Sequence, residues 1–251
     1  MKKTSLACAL LAGALTFSVS LHAQAPSGPP AEKAPAVMSA EARAKSDADA
    51  EKKAGEWVTS LQLKDAAKEQ RLQGLIATHL KTVRDWHNEH PYTTVPAGIN
   101  PATGNPLSNL DRQVIANSAM PKSVHENLMA GLRKDLSEEQ VEAILDKYTI
   151  GKVAFTLNGY RSIVTDLTPQ EEAVILKNLK QAREQAIDFK NMEQISAIFE
   201  IYKTKNEQYI NTTGRSWKQL FKAYTDAAKA KKKAAAEGTI VSPGAHPQKV
   251  K

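Results

Sequence analysis

Apolar residues recur at three- and four-residue steps along most of the chain, a period typical of amphipathic helices. The longest pattern predicts a helix from about Asp65 to Glu89, and Pro91 ends it because proline cannot continue a helix. The stretch before it, from about Ala40, is rich in Ala, Lys and Glu and favours helix by propensity. One face of the Asp65–Glu89 helix carries Leu72, Ile76, Leu80, Val83 and His87.

Two helices are predicted to begin with the same type of cap. Ser137–Gln140 and Thr168–Glu171 each form a capping box, in which two side chains satisfy free backbone N–H groups of the first turn. Leu136 and Val141 flank the first box and can form a hydrophobic staple. Pro169 occupies the first helical position of the second helix, where a missing N–H costs nothing. We interpret these as two helix starts, not as a solenoid repeat.

Three amphipathic helices begin at Pro169, near Asn191 and after the cap residue Ser216, and Gly238 suits the end of the last. Because their connections are short, we expect antiparallel neighbours in an all-α helical bundle. Their apolar faces hold Ile175, Leu179, Ala182 and Ala186, then Met192, Ile195, Phe199 and Tyr202, then Trp217, Leu220, Phe221, Tyr224 and Ala228.

Residues 91–120 interrupt this pattern. They contain four prolines and show no apolar period, so we expect one long Pro-rich loop, with helical signals returning at Pro121. Long loops of this kind often bind ligands or are disordered.

The segment from about 150 to 165 also departs from the helical pattern. Gly151 and Gly159 argue against an uninterrupted helix. Apolar residues alternate there as in a short strand, and an extended loop or a broken helix fits equally. The alternating residues are Val153, Phe155 and Leu157.

The first 25 residues have the three regions of a secretory signal peptide. Lys2 and Lys3 form a positive region, residues 6–21 are apolar, and Ala23 and Ala25 supply an Ala-x-Ala cleavage site. The apolar run is too short for a membrane span, so the sequence predicts no transmembrane segment. We therefore expect a periplasmic or secreted protein that is cleaved near Ala23 or Ala25.

Composition suggests how the rest of the chain is organised. We expect a Pro-rich disordered linker over 26–40, a single helical domain over 41–237 and a disordered tail over 238–251. The one cysteine, Cys8, is expected to leave with the signal peptide. The mature protein then has no disulfide, no thiolate metal site and no thiol nucleophile, and relies on an ordinary apolar core.

The chain of 251 residues has a formal net charge of +7, and lysines cluster near its C-terminal end. Alanine separates these lysines, whereas nucleic-acid binding needs basic and aromatic side chains interleaved on one face, so we expect no nucleic-acid partner. Attraction to acidic polysaccharide or anionic lipid headgroups stays open. The chain has no Walker loop, dinucleotide-binding glycine motif or nucleophile elbow, which leaves several large enzyme classes unsupported.

The first candidate site lies near the end of the Asp65–Glu89 helix. Trp86, His87 and His90 fall on one broad face with His79. Imidazole can bind zinc or transfer protons, and an indole ring offers a flat surface to a sugar. The metalloprotease spacing is absent, so we predict no metal. Trp86 and His87 are the ligand-binding candidates; the alternative is that these histidines border a core and bond to backbone groups or water.

Two further candidate groups lie on later helices. Arg183 and Glu184 are near Asp188 in the sequence. Two carboxylates one helical turn apart, such as Glu184 and Asp188, can act as acid and base on a glycosidic bond. A solvated, charged helix face explains these three residues equally well. Tyrosines beside a cation can stack on and hydrogen-bond a sugar, although Tyr202 also continues an apolar stripe and so suits the core. The residues of this second group are Tyr160, Tyr202, Lys203 and Tyr209.

Several short pieces between Leu136 and Trp217 carry a resemblance to a known family, with weaker similarity back to about Glu56. They are Lys152-Val153, Tyr160, Leu167-Thr168 with Glu171-Glu172, Ala182-Arg183-Glu184 with Asp188, Ile198-Phe199, Tyr202-Lys203, Tyr209-Ile210, Gly214 and Trp217. In their order and spacing the chain resembles a secreted bacterial family known as domain of unknown function thirty-eight twenty-six. The resemblance implies sugar binding and an association with polysaccharide-degrading enzymes. Family members carry Gly, Arg and Asn-Asn where this chain has residues 204–208, which implies a different ligand specificity here.

The sequence therefore predicts an extracytoplasmic, non-catalytic protein that binds an oligosaccharide or polysaccharide without a cofactor, and it assigns no catalytic residue. One alternative is a helical periplasmic chaperone or scaffold that binds proteins, since Leu136–Gln140 and Leu167–Gln170 are similar to the Leu-Thr-x-x-Gln helix starts of such chaperones. Another is a glycan-active enzyme that uses His87, or Glu184 with Asp188. The oligomeric state stays open.

Overall fold

The computed structural model describes residues 38–101 and 103–239, with side chains through 235. Over these residues the chain forms nine α-helices, one short 3-10 helix at Tyr92–Thr94 and no strand, so the predicted all-α fold is confirmed. The helices are α1 Ala40–Thr59, α2 Ala66–Glu89, α3 Asn109–Ser118, α4 Lys122–Asp135, α5 Glu138–Tyr148, α6 Lys152–Ile163, α7 Pro169–Ala186, α8 Met192–Thr212 and α9 Trp217–Thr239. The predicted signal peptide, most of the linker and the tail from 240 lie outside the described residues.

The helices begin where the capping signals indicate. Asp65 caps α2 by accepting the N–H of Lys68 at 2.9 Å. Ser137 and Thr168 form the two predicted capping boxes at the starts of α5 and α7. Each box satisfies first-turn N–H groups that have no partner within the helix, which explains why local sequence places these starts well.

Most of the segment 150–165 forms α6, Lys152–Ile163, so the predicted extended or broken structure there is wrong. Val153, Leu157, Tyr160 and Val164 are buried at helical spacing, which outweighs the alternation in the sequence. Phe155, counted as part of the strand-like pattern, is 79% exposed. Gly151 adopts a left-handed conformation with φ of 65° just before α6, whereas Gly159 lies within the helix. The chain therefore turns at the first glycine and passes through the second without a break.

The predicted Pro-rich loop over 91–120 is shorter than expected, because α3 occupies its last third. Ser108 and Asp111 form a capping box at the start of α3, with the Ser108 N–H 2.9 Å from the Asp111 carboxylate. The remaining loop contains an isolated β-bridge between Ile99 and Pro106. This loop therefore leads directly into a helix that packs on the 3-10 helix at Tyr92–Thr94 and on α8.

Buried apolar side chains form two clusters, where the sequence suggested one bundle interior. The first cluster joins α1, α2, α4 and α5 and includes Leu72, Ile76 and Ile144. The second joins α6, α7 and α8 with the start of α9 and includes Ile175 and Phe199. Each cluster removes apolar surface from water, which is the main force holding the helices together.

The five-residue connection between α7 and α8 lies where the two clusters meet. Ile187 belongs to the first cluster and Phe189 to the second. Asp188, between them in sequence, is therefore fixed by apolar anchors on both sides. None of the helices in the described part of the chain is long and apolar enough to cross a membrane.

The apolar stripe predicted on α9 is only partly buried, and only at its beginning. Trp217 and Leu220 pack against the second cluster. Phe221 and Tyr224 are 47% and 42% exposed. The helix continues past Gly238, its predicted end, to Thr239, the last residue that the structure describes.

Candidate functional site

A cavity of about 610 Å³ opens where α3, α4, α7 and α8 meet, and we call it the histidine cleft. Its walls come from the α3–α4 turn, the first turn of α4, the end of α7 and the side of α8. The side chains that define it are Asn117, Lys122, His125, Glu184, Asp188 and Tyr202. Imidazole, carboxylate, amide and ammonium groups thus face one space, which is a typical property of ligand sites.

Asp188 is the centre of the hydrogen bonds in this cleft. Its Oδ2 lies 2.9 Å from Nδ1 of His125, and its Oδ1 lies 3.0 Å from Nε2 of His79. Its backbone oxygen accepts the Asn117 amide at 2.6 Å. Burial alone would raise the pKa of Asp188, but the hydrogen bonds from His125 and His79 outweigh it and hold the pKa below its ordinary value. Because an ionised carboxylate only accepts, both imidazoles donate to it.

His125 connects the buried carboxylate to the open part of the cleft. Its side chain is 27% exposed, against 17% for that of Asp188. Its other ring nitrogen, Nε2, lies 3.6 Å from Oε1 of Glu184. The hydrogen bond with Asp188, aided by the charge of Glu184, raises the pKa of His125 above its ordinary value. An imidazole in this setting can exchange protons with a ligand near neutral pH.

The side of Asp188 away from the cleft is closed by His79 and Tyr148. The two rings meet edge to face, with centroids 5.4 Å apart. The Tyr148 hydroxyl is buried without a hydrogen-bond partner among the described residues, and burial, together with the charge of Asp188, raises its pKa. This closed side keeps water away from one carboxylate oxygen, so that chemistry with solvent or a ligand is limited to the His125 side.

A second cavity, of about 380 Å³, lies between α6, α8 and α9, and we call it the aromatic groove. Trp217 and Phe221 lie one turn apart on α9 with rings 5.9 Å apart and inclined by 24°, so they form a nearly continuous surface. Tyr160 lies 5.3 Å from Trp217 and donates its hydroxyl to the Lys203 carbonyl at 3.1 Å. The residues that define the groove are Thr156, Tyr160, Ile163, Lys203, Glu207, Trp217 and Phe221.

The groove has charged groups next to its aromatic wall. Lys203 forms an ion pair with Glu200 at 2.9 Å, one turn earlier on α8. Burial raises the pKa of Glu207, with the nearby Lys203 opposing that rise. Burial also raises the pKa of Tyr160, which keeps its hydroxyl protonated and able to donate. The groove thus combines flat apolar rings with hydrogen-bonding groups.

The structure divides the predicted ligand-binding residues between these two cavities. Glu184 and Tyr202 line the histidine cleft, whereas Tyr160 and Lys203 line the aromatic groove. Tyr202 and Lys203 are adjacent in sequence but face different cavities, because neighbouring residues on a helix point about 100° apart. The remaining candidates, Trp86, His87, Arg183 and Tyr209, line neither cavity.

Trp86 and His87 have partners within the protein. The Trp86 ring stacks on His90 with centroids 3.7 Å apart. Nε2 of His87 accepts a hydrogen bond from the side-chain amide of Gln194 on α8. Burial, together with the charge of Lys190, lowers the pKa of His87 to about 4. His87 is therefore a neutral side chain that joins α2 to α8.

Arg183 joins α7 to α5. It is buried, and its guanidinium donates to Oδ1 of Asp146 at 2.7 Å. Tyr209 is half-buried on α8. The structure therefore does not bring Tyr160, Arg183, Tyr202 and His87 together on one surface, and it assigns Arg183 a contact between helices.

Sequence reasoning missed His125 and Asn117, and it considered Asp188 only beside Glu184. His125 lies one turn inside α4, whose start at Pro121 was recognised, but it stands 63 residues from Asp188 in the chain. Asn117 lies on α3, a helix hidden within the predicted loop. Reading Ser108 and Asp111 as a capping box would have placed α3 and its polar face beside α4.

No group of three or more His, Cys, Asp or Glu side chains that could hold a metal ion occurs among residues 38–101 and 103–239. In the histidine cleft the reason is geometric, because each Asp188 oxygen is directed at a different imidazole. Those ring nitrogens donate hydrogen bonds to the carboxylate. Their lone pairs are therefore not directed at a shared position where a metal ion could bind.

In the described part of the chain, the helices thus enclose the histidine cleft and the aromatic groove on different sides of α8. The chain belongs to the family described as protein of unknown function (DUF3826), whose model matches residues 48–230. The matched region runs from within α1 to within α9 and includes both cavities. A search of curated proteins finds none that matches this chain.

Proposed function

We propose that this protein binds carbohydrate outside the cytoplasm, in the aromatic groove. The observation that carries the proposal is the surface formed by Trp217 and Phe221, whose rings are inclined by only 24°. The C–H face of a pyranose packs on such a surface, and aromatic rings supply large contact area with little loss of conformational freedom. The exposed ring of Phe221 is available for this contact.

Polar groups at the groove support a sugar over a purely apolar ligand. Glu207 can accept hydrogen bonds from sugar hydroxyls, and the ammonium group of Lys203 can donate to them. Tyr160, Lys203 and Trp217 also belong to the pieces on which the sequence resemblance rests. A cavity of about 380 Å³ suits one or two sugar rings better than a long chain.

Calorimetric titration of the mature protein with pectic, hemicellulosic and algal oligosaccharides tests this proposal. We expect Phe221→Ala to weaken binding of the recognised sugar by about tenfold, since a stacking ring is worth roughly 1 kcal/mol or more. Phe155→Ala is the matched control, because Phe155 is a more exposed phenylalanine that does not line the groove. Equal loss in both variants, or no binding across the panel, would contradict the proposal.

The extracytoplasmic location is tested separately. We expect the full chain, expressed in a Gram-negative host, to appear in the periplasm or medium with an N-terminus just after Ala23 or Ala25. A cytoplasmic product that retains the first 20 or so residues would contradict this part of the proposal without affecting the groove.

A second candidate function is binding of unfolded proteins, as in periplasmic chaperones. The exposed Phe221 and Tyr224 on α9, followed by lysines, favour it because apolar side chains next to positive charge can hold unfolded segments. Suppression of the aggregation of a denatured client tests this function. We expect a Phe221→Ala, Tyr224→Ala double variant to lose it, and no protection at molar excess of the wild type would eliminate it.

A further inference from the structure

The histidine cleft holds a carboxylate and an imidazole in the arrangement used by general bases. Asp188 is largely buried and accepts from Nδ1 of His125 at 2.9 Å, which fixes the orientation and tautomer of the ring. Nε2 is then the nitrogen that can take a proton, and it lies on the side of Glu184 in the open cleft. His79 and Asn117 in turn fix Asp188, so the pair is preorganised.

The start of α4 lies at the wall of the same cavity. No side chain caps this helix, which begins at Lys122 after Pro121, and both residues line the cleft. The first N–H groups of a helix have no partner within it, and they stabilise an oxygen on which negative charge develops. His125 stands three residues after Lys122, and positions three apart lie on the same side of a helix.

Asn117 adds to the preorganisation of this pair. It is 4% exposed and lines the cleft, and its side-chain amide donates to the backbone oxygen of Asp188 at 2.6 Å. Asp188 is therefore held through its backbone by Asn117 and through its carboxylate by His79.

We propose that the histidine cleft hydrolyses carboxylic esters, with His125 as the general base. Nε2 of His125 takes a proton from a water molecule as the water oxygen bonds to the ester carbonyl carbon. The carbonyl oxygen becomes negative and accepts the first N–H of α4. The bond from that carbon to the alcohol oxygen then breaks, the alcohol oxygen takes the proton from His125, and the products are a carboxylic acid and an alcohol.

The same contacts argue against glycoside hydrolysis by Glu184 and Asp188. That reaction needs two carboxyl groups free to act on the substrate. Both Asp188 oxygens are directed at imidazoles, so Asp188 acts as a positioning residue and touches no substrate. Ester hydrolysis needs one base and a donor for the oxyanion, and this cleft has both. The proposal does not depend on sugar binding in the aromatic groove.

Hydrolysis of p-nitrophenyl acetate and of O-acetylated oligosaccharides by the mature protein tests this proposal. We expect saturable turnover that His125→Gln lowers at least a hundredfold in kcat/KM, since a general base contributes about 10² to 10⁴. His90→Gln is the control for nonspecific imidazole reactivity, because His90 lies outside the cleft. Absence of saturable turnover, or equal rates for the two variants, would overturn the proposal, and thermal unfolding verifies that both variants fold.

Two further variants separate catalysis from a structural role. Lys122→Pro removes the first N–H of α4, whereas Lys122→Ala keeps it. The proline variant is compatible with the fold, because the backbone of Pro121, at φ −56° and ψ 128°, has the extended conformation that a following proline requires. We expect the proline variant to be at least tenfold slower in kcat than the alanine variant, and equal kcat values would remove the oxyanion role.

The pH profile gives an independent reading of His125. The charged groups of the cleft around His125 are Asp188, Glu184, Glu126 and Lys122, with His79 behind Asp188. Because the carboxylates stabilise the protonated ring, we expect activity to rise with pH through a value above 6.5. Glu184→Gln should move this rise to lower pH, and a profile unchanged by that substitution would contradict the assignment.

Discussion

Nε of Arg215, just before α9, donates to Oε1 of Glu171, in the first turn of α7, at 2.9 Å. The same carboxylate accepts the N–H and hydroxyl of Thr168 in the capping box and the hydroxyl of Thr213. These hydrogen bonds, that of Arg215 first, lower the pKa of Glu171 to about 2. One buried side chain thus caps α7 and fixes the position from which α9 leaves the bundle.

We expect Arg215→Ala to lower the free energy of unfolding by about 1–3 kcal/mol, because it leaves a buried carboxylate short of donors. Arg161→Ala is the matched control. Its partner Glu172 is adjacent to Glu171 but more exposed, so the loss of Arg161 should lower the free energy of unfolding less than the loss of Arg215. Urea denaturation at pH 7 measures both. Because the folded pKa of Glu171 is depressed, its contribution is present above pH 4.5 and is lost as pH falls toward 2. Equal losses in the two variants would contradict this account.

Two helical glycines should respond to alanine in opposite ways. A Cβ at Gly131 on α4 would meet the side chain of Leu75 on α2, whereas a Cβ at Gly159 on α6 meets nothing. Alanine stabilises a helix interior by about 0.5–1 kcal/mol relative to glycine, so Gly159→Ala should raise the midpoint of thermal unfolding. Gly131→Ala should lower it or leave it unchanged, because Leu75 must move. A larger gain at Gly131 than at Gly159 would show that the α2–α4 contact is looser than the structure indicates.

The structure shows which elements local sequence could predict. The caps at Ser137 and Thr168 bond residues three apart, so they can be recognised without tertiary information. The alternation of Val153 and Phe155 was misleading, because the burial of Val153, Leu157 and Tyr160 follows four- and three-residue steps. A wider window that included Tyr160 would have favoured a helix.

The site was harder to predict than the fold, for a physical reason. His79 and Asp188 are 109 residues apart and meet only because α2 and the α7–α8 connection pack together. Helical periodicity gives the face on which a residue lies, but not the crossing angle that brings two faces into contact. Glu184 and Tyr202 were named as candidates from local patterns, and their shared cavity with His125 required the packed structure.

His87 should make stability depend on pH in a particular direction. Its pKa is lowered to about 4 in the folded protein, so between pH 6.5 and 4 the unfolded chain binds a proton that the folded protein does not. Stability therefore falls as pH decreases through this window, by roughly 1 kcal/mol between pH 7 and 5 once solvent screening of the partly exposed ring is taken into account. Urea denaturation of wild type and His87→Gln at both pH values isolates this contribution from that of His125, which has the opposite sign. The same pH dependence in both proteins would mean that His87 titrates normally when folded.

A buried amide pair joins α7 to α8 next to the aromatic groove. The Asn178 side chain donates to Oδ1 of Asn206 at 2.7 Å, and Asn206 is fully buried. Replacing either residue by alanine leaves the other amide buried without its partner, at a cost of about 1–3 kcal/mol in the free energy of unfolding. The double variant removes both amides, so its cost should be smaller than the sum of the two single costs.

A double-mutant cycle measured by urea denaturation tests this expectation, with Asn127→Ala on the exposed side of α4 as the control for a simple loss of asparagine. We expect a coupling energy of about 1 kcal/mol between positions 178 and 206, and none between either position and 127. Additive costs would mean that the two amides contribute independently. In that case the hydrogen bond between them is not what holds α8, with the Lys203 and Glu207 side chains that it carries into the groove, against α7.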